Sequence, residues 1–70
     1  MKINYPKGET RCVSYYNYSH KLVFVLTYKP TSGMYYLYEV LEDGELNKIG
    51  KGNNPNQLEE KYNVMEILQK

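Results

Sequence analysis

An α+β fold is the class this sequence predicts: an antiparallel sheet of four strands, five if residues 64–68 join it, with one short helix in the C-terminal half packed on one face. Three observations carry that expectation. β-Branched and aromatic residues gather in segments bounded by turn residues. One of these segments, Lys21–Lys29, is apolar on both faces, the pattern of a central strand covered on both sides. Finally, Asn54-Pro55-Asn56-Gln57 has the chemistry of a helix start.

Residues 1–10 hold Pro6 and Gly8 among polar side chains and read as an irregular lead-in, leaving 11–70 as a single small domain. Val13, Tyr15, Tyr16 and Tyr18 make Arg11–Tyr18 the first strand, and Ser19-His20 breaks it. In the second, Leu22, Phe24 and Leu26 alternate with Val23 and Val25. Pro30-Thr31-Ser32-Gly33 is a turn, because proline presets one backbone angle and glycine accepts a positive one. Met34–Leu41 follows, and Asp43-Gly44 is a hairpin signal that pairs it with Glu45–Gly50.

The loop Gly50-Lys51-Gly52-Asn53-Asn54 then feeds the helix. Asn54 can cap, Pro55 fits the first helical position, Gln57 can return a capping-box bond, and Leu58 and Tyr62 share the apolar face. With Asn63 as a left-handed cap, Val64–Leu68 reads as a final short strand. The rival, a helix running on to Gln69, would turn Val64 and Ile67 to its back. One helix covers one sheet face, so the other is expected to be wet, tyrosine-covered or buried in a partner.

At 70 residues the core is small, and disulfides, a metal or self-association are the usual supports. Cys12 and His20 are each the sole residue of their type, which removes the first two and leaves a homodimer as the open support. The reduced thiol, the absence of any long apolar run and the polar start through Pro6 lead to an expectation of a cytoplasmic protein with no membrane span. Nine basic against eight acidic residues give no surplus for gripping phosphates, so nucleic acid is the less favoured partner. No constellation of titratable groups converges, and neither enzymatic activity nor a cofactor is expected.

The nine tyrosines, against one phenylalanine and no tryptophan, are what remains to explain. A tyrosine buries a ring but keeps a hydroxyl that needs a partner. Tyr15, Tyr28 and Tyr62 read as core and rim. Tyr16 and Tyr18 share one side of the first strand, and Tyr36 and Tyr38 one side of the third, so the four form a candidate partner-binding patch of a kind favoured at protein interfaces. Lys48, Lys51, Asn53 and Asn54 form a second candidate, an anion or phosphate site ahead of the helix. Glu39, Glu42, Asp43 and Glu45 read as a solvated hairpin tip.

The stretch Gly33–Tyr62, with its aromatic strand, Asp43-Gly44 hairpin, Lys48 and Lys51 on the third strand and its exit, and Asn54-Pro55 helix start, resembles the three-stranded sheet and helix of integrase arm-site DNA-binding domains. That resemblance implies a sheet docking in the major groove, but the basic surplus of those domains is missing. Met34-Tyr35-Tyr36 and Lys48-Ile49-Gly50 are similar to the two motifs of GIY-YIG nucleases. Lys48 replaces the tyrosine of the second motif, and Gln57-Leu58 stand where the helix arginine belongs, so cleavage is not implied. Each likeness covers under half the chain, and neither family is assigned. The expectation is a small non-enzymatic protein acting through its tyrosine-rich sheet face, in keeping with a phage or mobile-element accessory protein that modulates or inhibits a host protein.

Overall fold

The computed structural model describes residues 2–69. Strands β1 (Thr10–Tyr16), β2 (Leu22–Lys29), β3 (Met34–Val40) and β4 (Leu46–Gly52) precede helices α1 (Pro55–Lys61) and α2 (Val64–Leu68). The strands form one antiparallel sheet in chain order, β1-β2-β3-β4, so β2 and β3 are its interior. The doubly apolar second segment is thus an interior strand, and Phe24, Val25, Leu26 and Thr27 are all buried. Before β1 the chain makes a single turn, closed by the Glu9 N–H donating to the Pro6 carbonyl with Gly8 at a φ of 86°.

Two segments end where the sequence did not place them. β1 stops at Tyr16, because Asn17 leaves the ladder to close the hairpin. β4 runs on to Gly52, so Lys51 is a strand residue and not part of the loop. At the helix start Asn54 is the N-cap in an extended conformation, Pro55 holds the first position, and the Asn54 side chain accepts from the Asn56 and Gln57 N–H groups at 2.9 and 3.4 Å. Gln57 contributes its backbone donor to this cap.

Val64–Leu68 is a second short helix, and the fifth strand expected there does not form. Asn63 does take the left-handed conformation, with φ 53° and ψ 41°. That residue resets the helical phase, and the spacing of four between Val64 and Leu68 then turns both side chains inward. Val64 is fully buried and Leu68 nearly so, while Met65, Glu66 and Ile67 are exposed. A strand would have alternated instead.

Register divides the sheet into two faces. Tyr15 pairs with Phe24, and Leu26 with Leu37; these four join Leu58, Val64 and Leu68 in one buried cluster, with Ile49 and Tyr62 against it. Two glycines let α1 approach β4. The hydroxyl end of the Tyr62 ring lies over Gly50, leaving no room for a Cβ, and Leu58 sits over Gly52. Tyr15 adds a polar tie, its hydroxyl donating to Glu59 of α1 at 2.6 Å.

The opposite face carries Val25 paired with Tyr38 and Thr27 paired with Tyr36. Val25, Thr27 and Tyr38 are buried here too. The Glu9 carboxylate reaches onto this face and accepts from the Thr27 hydroxyl at 2.6 Å and the Tyr38 hydroxyl at 2.7 Å. A register irregularity at Cys12 brings Arg11 and Ser14 onto the same face, where the Arg11 guanidinium donates to the Ser14 hydroxyl. Another at Ile49 sets Lys48 opposite Tyr38 and Lys51 opposite Tyr36. Residues three apart along a regular strand point to opposite sides, so these bulges create two aligned rows.

Candidate binding surface

Strand order places the β1–β2 and β3–β4 connections at the same end of the sheet, and the two share one design. In the first, Asn17 N–H donates to the Lys21 carbonyl and His20 N–H to the Asn17 carbonyl. In the second, Leu41 N–H donates to the Glu45 carbonyl and Gly44 N–H to the Leu41 carbonyl. Each loop is three residues long with a positive φ at its last residue, 62° at His20 and 88° at Gly44. This is the three-residue hairpin whose final position favours glycine. A side-chain oxygen braces each loop: the Asn17 side-chain amide oxygen accepts from the Ser19 and Lys21 N–H groups, and the Asp43 carboxylate accepts from Glu45 N–H.

The loop held this way presents Tyr18 to solvent, 75% exposed, beside Tyr16 at 56% and, across the sheet end, Leu41 at 41%. Between the two tips lies a depression of about 220 Å³ lined by Lys21, Leu22, Val40, Leu41 and Glu42. Tyr16 pairs directly with Leu22 of that lining. The result is an apolar and aromatic area with a lysine and a glutamate at its margin.

Of the four tyrosines proposed from sequence as one patch, the structure brings Tyr16 and Tyr18 to this end and puts Tyr36 and Tyr38 on the face of Glu9. Tyr36 is half-buried, and Tyr38 retains only 3% of its surface. The Lys48 ammonium stands over both rings, 4.6 Å from the Tyr36 centroid and 5.9 Å from that of Tyr38, within the range of a cation–π contact. Burial, reinforced by the Glu9 carboxylate, raises the Tyr38 phenol well above its ordinary pKa. Tyr15 is raised likewise, by burial first and then by Glu59. Both phenols are protonated near neutral pH.

Lys48, Lys51, Asn53 and Asn54 do not converge. Both lysines belong to the sheet face of Tyr36, whereas the Asn54 side chain is engaged by the first-turn N–H groups. Asn53 is exposed in the connection. Cys12 lies at the register irregularity within β1 and His20 in the β1–β2 loop, and both are exposed. Among the described residues no group of three or more His, Cys, Asp or Glu side chains is placed to hold a metal ion. None of the described helices is long and apolar enough to cross a membrane. A wider, open hollow of about 440 Å³ between α1 and α2 is lined by Asn56, Glu59, Glu60, Asn63, Met65 and Glu66.

His20 reads from sequence as an exposed turn residue, but its left-handed backbone and the place of Leu41 at the same end do not. The signal was present in the equal spacing of Asn17 to Lys21 and Leu41 to Glu45, which marks two hairpins of one type. No protein-family model, curated protein or solved structure matches this chain.

Proposed function

We propose that this chain is a small non-catalytic binding protein that docks a protein partner on the sheet end formed by Tyr16, Tyr18 and Leu41. The observation that carries the reading is the exposure of Tyr16, Tyr18 and Leu41 at one end of the sheet, where Leu41 lines the depression and Tyr16 pairs with Leu22 of its lining. Large apolar side chains scattered singly on a surface need no explanation, but a contiguous set rimmed by polar groups is the usual form of an interaction site. Tyrosine supplies rigid contact area there at a small entropic penalty. His20 adds to the reading: it occupies a backbone conformation that glycine fills in the sister hairpin, and residues held in such conformations concentrate at functional sites. A partner in a host cell, modulated by this contact, fits the same surface.

The test is affinity capture with the purified chain followed by quantitative binding to the recovered protein. Changing Tyr16 and Tyr18 together to Ala is expected to weaken binding at least ~100-fold, since two interface tyrosines of about 2 kcal/mol each are lost. The thermal midpoint should move little, because both rings are exposed. Binding that survives this double change sinks the proposal.

A second reading rests on the β4 bulge, which aligns Lys48 and Lys51 with Tyr36 on one face. Lysines flanking an aromatic ring can hold a nucleic-acid strand by its phosphates and one base. Affinity for an oligonucleotide would then fall steeply with salt and be lost on Lys48→Glu, while Tyr16 and Tyr18 would be dispensable.

A further inference from the structure

We propose that residues 2–9 form an opening strap over the sheet face of Val25, Thr27, Tyr36 and Tyr38, a built-in occupant that keeps this face shut until it lifts. The two helices send Leu58, Val64 and Leu68 to the other face, yet Val25 and Thr27 are wholly buried and Tyr38 nearly so. Among the described residues, the segment before β1 reaches this face from outside the sheet, through Glu9. Its course fits: the turn at Pro6–Glu9 reverses the chain, Ile3, Tyr5 and Pro6 are half-buried, and Glu9 stands on the face itself.

The attachment is of a kind that can release. Residues 2–9 contain no strand or helix, so no ladder of backbone bonds must break. Their polar hold is one carboxylate oxygen of Glu9 accepting both the Thr27 and the Tyr38 hydroxyls. When the strap lifts, both hydroxyls and the carboxylate return to water, and no buried polar group is orphaned. The helix-covered face has no such route, because beyond the Tyr15–Glu59 bond its cover is the apolar cluster, and loss of that is loss of the core. Low-stability segments of this description open locally, without global unfolding. Opening uncovers an aromatic face already fitted with Lys48 and Lys51, and this step is separate from docking at Tyr16 and Tyr18.

The two clasped tyrosines make the test internal. Tyr15 and Tyr38 are comparably buried, and each donates to one carboxylate. The full-length chain is treated with a phenol-acetylating reagent in native buffer, and the rate at each tyrosine is read by mass spectrometry. A strap that opens locally gives acetylation of Tyr38 roughly tenfold or more faster than of Tyr15, with a weaker dependence on urea. Glu9→Ala should raise the Tyr38 rate by a further factor of about ten and leave Tyr15 and the urea midpoint in place. Equal rates at Tyr15 and Tyr38 in the native chain, with equal urea dependence, would mean that both wait for global unfolding, and the strap idea is overturned. So would a Glu9→Ala chain that loses its fold outright. Neither readout uses a partner, so failure here leaves the docking surface untouched.

Discussion

On one face of the sheet Tyr15 donates its hydroxyl to Glu59 of α1; on the other Tyr38 donates to Glu9 ahead of β1. The two bonds differ by 0.1 Å, 2.6 against 2.7 Å, and both phenols are driven above their ordinary pKa by burial followed by the carboxylate. What surrounds them differs. Around Tyr15 the cover is a helix pair contributing Leu58, Val64 and Leu68 to an apolar cluster. Around Tyr38 it is an irregular segment, and the neighbours include the Thr27 hydroxyl and the Lys48 ammonium. The same clasp is therefore an addition to a core on one side and the principal polar fastening on the other. A strand of this sheet can be buried on both faces while only one face carries most of the hydrophobic stabilisation.

The largest expected effect comes from cutting into the helix side. Leu26→Ala should destabilise the chain by about 2–5 kcal/mol, against a total of roughly 0.05–0.15 kcal/mol per residue for a natural domain. Over 70 residues that total is about 3.5–10 kcal/mol, so the change removes a large share of it and should lower the thermal midpoint clearly, as read by circular dichroism. Val25→Ala, on the strap side, removes two carbon groups and should cost about 1–2 kcal/mol. Equal losses in urea titrations would erase the distinction between the faces.

The α1 seat gives the next effect, and it concerns only the helix side. An alanine Cβ at position 50 would stand 2.5 Å from ring atoms of Tyr62, so Gly50→Ala must push the ring and the helix outward. Overpacking of this kind costs about 1–3 kcal/mol. At Gly52 the nearest atom is a Leu58 carbon at 3.5 Å, an ordinary contact. Gly52→Ala should change stability by no more than about 0.5–1 kcal/mol, in the stabilising direction, through the unfolded chain's lost freedom. Thermal melts of the two variants settle the order, and similar midpoints would show that Tyr62 does not depend on a bare backbone.

Much of this organisation could be read from the residues, and the parts that could not share a cause. Alternation and turn chemistry located four strands, because each depends on neighbours within a few positions. Asn54 and Pro55 marked the helix start for the same reason. Val64–Leu68 was ambiguous, since five apolar-rich residues satisfy either period and Asn63 stops the preceding helix in both readings. The hold of Glu9 on Thr27 and Tyr38 was not legible at all: nothing local in Lys2–Glu9 announces that Glu9 will meet hydroxyls 18 and 29 residues away. The bulges at Cys12 and Ile49 likewise depend on the partner strand, so the alignment of Lys48 with Lys51 and the burial of Tyr38 came only with the register. Tyr16 and Tyr18 were grouped from sequence as one side of a strand, whereas in the structure β1 ends at Tyr16 and Tyr18 is exposed in the loop.

Substitution at the two tyrosines themselves separates the two clasps most directly. At neutral pH Tyr15→Phe and Tyr38→Phe each delete one hydrogen bond to a carboxylate and should cost about 1–2 kcal/mol. Raising the pH adds a signed test. In the folded chain both phenols are held above their unfolded value of about 10. Folding therefore favours the protonated phenols: their contribution is intact below about pH 9 and is lost as pH rises through the folded values. Above pH 10 each tyrosine should add a downward slope of at most about 1.4 kcal/mol per pH unit to stability. Replacing either by Phe removes its share of that slope. Under a strap that stays shut, the two variants flatten the alkaline limb equally. Under one that lifts, the Tyr38 phenol ionises in an otherwise folded chain, so Tyr38→Phe flattens the limb less than Tyr15→Phe does. Urea midpoints followed from pH 7 to 11 distinguish these cases, and a larger flattening by Tyr38→Phe would reverse the ranking of the two faces.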